Sequence, residues 1–239
     1  CTCVQGQFMT SQDRINLMLK GIADMCRTMD VFVVGGGFST SFSDIVPAVV
    51  VAVIGQLVTE KPLTKPAKSA GDKIIIIGET GKDGNDTLFR AGLVNTMQPA
   101  VALFEEERKT MEATLAAFKT GKIKACSDLG AAGIGAAVCE SARFGGLGAK
   151  VDLAAVPVKV KDIIPEEILI CETQARMLVQ VAPEHVEEVL AAVGSQGVPA
   201  AVIGEITGED HIVFTFKEEQ VAVIPNHPSP EQLEELSRL

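Results

Sequence analysis

The sequence contains neither tryptophan nor tyrosine, and ten phenylalanines are its only aromatic side chains. A core for 239 residues must therefore be assembled from Val, Ile, Leu and Ala. Such a core suits a parallel or mixed sheet covered by alanine-rich helices. Positive charge is also short: 21 Lys and Arg face 31 Asp and Glu, a net charge of −10. That balance argues against nucleic acid as a partner, since nucleic-acid binding draws on Lys and Arg. It leaves phosphorylated small molecules open, because these need only a local positive site or backbone N–H groups. The six cysteines show no metal or disulfide spacing; only Cys1 and Cys3 lie close together. They read as reduced core thiols, which implies a cytoplasmic setting. The longest apolar stretch, Ile45 to Leu57, is too short to span a membrane, and no basic leader precedes an apolar run. The chain opens on Cys1 in place of Met, so a fragment or a processed piece is expected.

What is present alternates. Ser11 is placed to cap a helix reaching about Met29, with Ile15, Leu19, Ile22 and Met25 on one face. Val31–Val34 reads as a short strand halted by Gly35-Gly36-Gly37, and Ala48–Leu57 as a second strand. The polar stretch holding Pro62, Pro66 and Gly71 reads as a domain boundary. Beyond it, strands are expected at Lys73–Ile77, Ile123–Cys126, Val151–Leu153, Met177–Val181, Ala200–Ile206, His211–Phe216 and Gln220–Ile224. Helices are expected at Phe104–Lys119, Ala131–Phe144, Glu166–Ile170 and Pro183–Val193. The last two strands, joined by Lys217-Glu218-Glu219, read as a hairpin. This order defines an α/β or α+β chain with a mixed sheet. The expected division is 1–70, 71–226 and a tail helix over 227–239.

Four places could carry chemistry. The loop Gly78-Glu79-Thr80-Gly81-Lys82-Asp83-Gly84 leaves a buried strand and could cradle a phosphate through backbone N–H groups, or simply turn the chain. It matches neither the P-loop nor the dinucleotide fingerprint. Asp128, in Ser127-Asp128-Leu129-Gly130-Ala131-Ala132-Gly133, stands at a strand's end beside glycines. It could hold a metal or a phosphate, or cap the following helix. Gln98 is a polar residue in an apolar neighbourhood. In Cys171-Glu172-Thr173-Gln174-Ala175-Arg176-Met177, three consecutive polar side chains interrupt apolar runs and need partners, or a ligand that supplies them. Arg176 is expected to pair with a carboxylate inside the fold. Glu105-Glu106-Glu107 reads as a solvated helix face. His185, His211 and His227 do not converge with a nucleophile, which disfavours a histidine triad.

In this order and separation, the pieces resemble the phosphoribosylformylglycinamidine synthase family, within the superfamily of aminoimidazole ribonucleotide synthetase. The similarity rests on Asp128-Leu129-Gly130-Ala131-Ala132-Gly133 and Glu172-Thr173-Gln174-Ala175-Arg176-Met177, and runs over roughly residues 12 to 225. Gly78–Gly84, Gly146-Leu147-Gly148-Ala149 and Val202-Ile203-Gly204-Glu205 also match. The resemblance implies a mixed-sheet C-terminal domain of the synthetase type, preceded by the tail of an N-terminal domain that forms a barrel in a homodimer. It implies ATP-dependent amidation of formylglycinamide ribonucleotide, with Mg²⁺ and with ammonia from a glutaminase partner. By position, Asp128 would be a magnesium ligand. Gln98, Glu172, Thr173 and Gln174 would contact the phosphorylated ribonucleotide, and Gly78, Thr80, Gly81, Lys82, Asp83 and Gly84 would form a nucleotide loop. The family's Gln-x-Gly-Asp-Pro pattern is replaced here by Gln98-Pro99-Ala100, and its catalytic histidines have no counterpart. This chain alone is therefore expected to be inactive. The alternatives are a selenophosphate, thiamine phosphate or hydrogenase-maturation synthetase of the same superfamily, and a non-catalytic domain that supports assembly.

Overall fold

The computed structural model describes residues 2–7, 12–39 and 48–230. The chain forms two compact units that divide after Pro62. In the first, β1 (Thr2–Gln7), α1 (Gln12–Met29), β2 (Val33–Ser39) and β3 (Ala48–Val53) follow one another. The sheet order is β2-β1-β3, with β1 parallel to β2 and antiparallel to β3. The helix is the crossover that parallel neighbours require. It buries none of its side chains within the unit, and an ion pair links Lys20 to Asp24. Val34, Val50 and Val53 are all more than half exposed, so these strands are apolar without being covered. Strand β2 starts two residues later than expected and runs on through Gly35-Gly36-Gly37. Its hydrogen bonds come from β1 and need no side chains, so the glycines do not stop it. The cap at Ser11 lies outside the described residues.

The second unit carries the larger sheet. Its elements are β4 (Lys73–Ile77), α2 (Asp86–Arg90), α3 (Phe104–Lys119), β5 (Ile123–Asp128), α4 (Gly133–Gly145), β6 (Gly148–Asp152), α5 (Pro165–Ile170), β7 (Met177–Val181), α6 (Val186–Gly194), β8 (Ala200–Thr207), β9 (His211–Phe216) and β10 (Glu219–Pro225). The seven strands lie in the order β10-β9-β6-β8-β4-β7-β5. Only β6 and β9 run parallel, which makes the sheet mixed, as the sequence implied. Consecutive side chains of a strand point to opposite faces, and β4 shows this directly. Ile74 and Ile76 join a core with Ile134, Val138 and Ile168 of α4 and α5. Ile75 and Ile77 join a second core with Ala113 and Ala117 of α3 and Val189 and Val193 of α6. All four isoleucines are fully buried, each contributing about 1.5–3 kcal/mol. Helix α3 forms because acidic residues occupy its first turn and Lys119 its last, while Thr110, Ala113, Thr114 and Ala117 present one small-residue stripe.

The units divide eight residues before the expected boundary at 70. Segment 64–67 is stitched to the second unit: Cys126 N–H donates to Thr64 O (3.2 Å), Ala67 N–H to Ser141 O (2.9 Å) and the Ser141 hydroxyl to Lys65 O (2.6 Å). Pro66 there belongs to a strap bonded onto the second unit, not to a loose joint. Strand β6 begins at Gly148, and Leu153 falls in a 3-10 turn where a strand was expected. Strand β5 continues through Ser127 and Asp128. The hairpin of β9 and β10 forms as expected. Residues 227–229 are not helical, and 231–239 of the expected tail helix lie outside the described residues. No described helix is long and apolar enough to cross a membrane.

Candidate functional site

Sheet register brings the motifs together. Strands β4 and β5 both run antiparallel to β7, on either side of it, and Ile77 and Asp128 both pair with Met177. The C-terminal ends of β4 and β5 therefore meet the N-terminal end of β7. The loops that follow or precede those ends are 78–84, 129–132 and 171–176. Three motifs spread over nearly a hundred residues of chain thus share one end of three adjacent strands.

The glycine-rich loop is locked to the 171–176 segment. Gly81 N–H donates to Thr173 Oγ1 at 3.0 Å, and that hydroxyl donates to Asp83 Oδ1 at 2.8 Å. Thr173 is fully buried, so its hydroxyl holds the loop's shape. Gly84 has φ +69 and approaches the backbone of Glu172 so closely that an added Cβ would lie 2.9 Å from Glu172 N. Only glycine accommodates both. Glu172 N–H returns a bond to Gly84 O at 3.1 Å. The N–H groups of Thr80, Gly81 and Gly84 donate to Pro157 O, Thr173 Oγ1 and Gln98 O. Those three donors are thus occupied within the protein, and the phosphate-cradling role expected of this backbone falls away at them. Lys82 turns its ammonium toward the buried Glu167, at 3.5 Å.

Gln98 is exposed, and its backbone is fixed beside the loop. Its carbonyl accepts from Gly84, and its N–H donates to Asn85 Oδ1 at 2.7 Å. Asn85 also donates from Nδ2 to Thr96 O at 3.1 Å. Asn85 escaped the sequence reading, although an Asn directly after a glycine loop was its available signal; the structure buries it. Glu107 escaped too. Its carboxylate accepts from Ala175 N–H at 2.7 Å, so part of the acidic run is bound inside the protein.

Asp128 does not cap a helix. Helix α4 begins five residues later, behind Ala132, which sits at φ 56 with no side-chain cap. The Asp128 side chain is 68% exposed, and one oxygen lies 3.2 Å from Lys65 Nζ. Lys65 divides itself between Asp128 and Glu140, also at 3.2 Å. Glu140 and then Asp128 hold this ammonium above the usual lysine value, against partial desolvation. Across the same turn, Glu172 Oε1 accepts from Ala132 N–H at 3.3 Å. An added Cβ on Gly133 would meet Cys171 O at 2.6 Å, so the turn and the 171–176 segment are in direct contact. Gln174 folds back, donating from Nε2 to Glu172 O at 2.9 Å.

Arg176 is buried and finds no carboxylate in these bonds, contrary to expectation. It donates from Nε to Thr173 O (2.7 Å), from Nη1 to Thr80 Oγ1 (2.9 Å) and from Nη2 to Cys171 O (2.7 Å). Burial lowers it to about 10.

A seven-stranded mixed sheet with two covered faces and ligand-type loops at one end defines a class. The family model for AIR synthase related protein, C-terminal domain, matches residues 69–217, and the chain belongs to that family. Within it, the chain is similar to phosphoribosylformylglycinamidine synthase subunit PurL. It is 39% identical to that subunit of Methanosarcina mazei over 219 residues, 87% of this chain and 30% of that protein. It is 34% identical to the subunit of Prochlorococcus marinus over 223 residues, 89% of this chain and 28% of that protein. The chain thus spans about 30% of the length of these relatives. Among solved structures, Thermotoga maritima PurL complexed with FGAR superposes with TM-score 0.79 at 26% identity, over 94% of this chain and 38% of that one. The hydrogenase maturation protein HypE of E. coli shares the fold at TM-score 0.70 and 19% identity, covering 96% of this chain and 74% of that one.

Proposed function

We propose that this chain supplies half of the ligand site of an ATP-dependent synthetase in purine biosynthesis. The reaction is amidation of formylglycinamide ribonucleotide to formylglycinamidine ribonucleotide. One observation carries the reading: register places Asp128, the 78–84 loop and Glu172–Gln174 at one end of three adjacent strands. Relatives add support, since T. maritima PurL has been solved in complexes with ATP, ADP and FGAR and in an assembly named PurLQS. In the proposed reaction the formyl amide oxygen takes the terminal phosphoryl group of ATP and ADP leaves. Ammonia from a glutaminase partner then attacks the activated carbon and phosphate departs.

The residues present fit a magnesium ion shared with a nucleotide. Mg²⁺ is commonly held by one or two carboxylates, phosphate oxygens and water. Asp128 offers one exposed carboxylate at the turn, with phosphate oxygens and water to complete the shell. Among the described residues no set of three or more acidic, His or Cys side chains could hold the ion alone. When bound, the ion neutralises polyphosphate charge. Asp128 would hold the ion, and Lys65 would keep its contact with Glu140, already at 3.2 Å. Glu172 orients the ribonucleotide, with Gln98 and Gln174 at its rim, while Thr173 keeps Gly81 and Asp83 in place. Calorimetry tests the reading with two titrants, Mg·ADP and formylglycinamide ribonucleotide. Both bind the wild-type protein, and Asp128→Asn weakens Mg·ADP by about tenfold or more with unchanged circular dichroism. No heat from either titrant sinks the proposal.

A further inference from the structure

We propose that Arg176 is a positioning residue, fixing Glu172, Thr173 and Gln174 against the 78–84 loop before any ligand arrives. The inference rests on the reading that Glu172 and Gln174 face a ligand, with the buried Thr173 between them holding the loop. The guanidinium spreads three bonds over three separate points: the carbonyl before Glu172, the carbonyl of Thr173, and the hydroxyl of Thr80 in the facing loop. The backbone between Cys171 and Thr173 is thereby pinned at both ends. The third bond ties it to Thr80, which is itself fixed by bonds with Pro157 O and Lys159 N–H.

A buried cation with no carboxylate hydrogen-bonded to it is a poor stabiliser, and an apolar residue of similar volume often serves stability as well or better. What the fork gives in return is geometry. Arginine's planar donors can meet three acceptors at once, whereas the single ammonium of lysine cannot reproduce that fork. The other side of the segment is held as well. Ala175 sits at φ 62, an uncommon conformation for alanine, with its N–H on Glu107 and its carbonyl accepting from Thr110 Oγ1 at 3.2 Å. An added Cβ on Gly78 would lie 2.3 Å from Ala175 O and 3.3 Å from Arg176 Cγ. A strained backbone that is fixed from two sides is the mark of a preorganised wall.

Hydrogen exchange on the ligand-free protein tests this without requiring activity. The reporters are the amides of Gly81, Glu172 and Ala175, whose bonds cross the two loops or anchor the segment. Losing charge-assisted bonds at this hub should speed their exchange about 10- to 100-fold in Arg176→Met. Ile75 and Val179, in the core strands, should keep wild-type protection. Arg176→Lys keeps the charge without the fork and should show the same loop acceleration. Restoration of wild-type exchange by lysine overturns the proposal, as does equal acceleration of loop and core amides. If Arg176→Met does not fold, Thr80→Val removes one arm only and should speed Gly81 exchange; unchanged exchange there overturns the proposal. Calorimetry with Mg·ADP separates the two claims. If the wild-type protein binds neither Mg·ADP nor formylglycinamide ribonucleotide, the functional reading falls, and the exchange data still decide the role of Arg176.

Discussion

Replacing Gly84 with alanine tests how tightly the two loops interlock. Two separate effects act at this position. The first is backbone strain: at φ +69 an L-residue is disfavoured by roughly 1–2 kcal/mol. The second is contact: the new Cβ would stand 2.7 Å from Glu172 Cβ, 2.9 Å from Glu172 N and 3.0 Å from Glu172 Cα. Backbone atoms cannot swing aside, so relief requires the 171–176 segment to move away from the loop. Overpacking of this kind is destabilising by about 1–3 kcal/mol. The sum is roughly 2–5 kcal/mol. Gly121 supplies the control, because it has φ +70 and nothing within 4 Å of an added Cβ. Gly121→Ala therefore carries the strain alone. Urea unfolding of both variants, with m compared to exclude a change in the unfolded state, isolates the contact as a difference of about 1–3 kcal/mol. Equal midpoints for Gly84→Ala and Gly121→Ala would refute the interlocked arrangement.

Two further outcomes follow from strain and from burial. Ala175→Gly relieves a positive φ and should leave stability equal or raise it by up to about 1 kcal/mol, read by urea midpoint; a loss beyond that shows that the methyl packs more than it strains. Burial pushes the Cys171 thiol up to about 12, and those of Cys126 and Cys139 to about 11, from an ordinary 9.0. Above pH 9 the unfolded chain releases thiol protons that the folded chain retains, so stability falls as pH rises from 9 toward 11. With no tyrosine in the chain to titrate in that window, Cys139→Ala should flatten the fall measured by denaturation at pH 8, 9.5 and 10.5, and an unchanged slope contradicts the assignment.

The amino-acid sequence by itself determined the class of fold. An isoleucine run at 74–77 had to be a strand buried on both faces, and the small-residue stripe of α3 had to lie on a sheet. These are local patterns of period 2 and period 3.6, visible because burial repeats with the geometry of the element. The motifs at 78–84, 128–133 and 171–176 were legible as unusual local chemistry, and their order carried the family resemblance. Less legible were β1, whose partners lie far along the chain, and α2, too short to show a period. The glycines of β2 misled because strand pairing depends on a neighbour, which no local pattern reports.

Only the tertiary structure decided which partners the candidate site residues meet. Register of β7 between β4 and β5 put the three motifs at one end of the sheet. Packing turned Thr173 from an apparent ligand contact into a fully buried pin, and gave Arg176 carbonyls and a hydroxyl where a carboxylate was expected. It also released Asp128 from the capping role and left it exposed beside Lys65. The physical reason is common to all of them. A residue's type fixes which bonds it can make, but which partners lie within 3 Å depends on chain segments a hundred residues away.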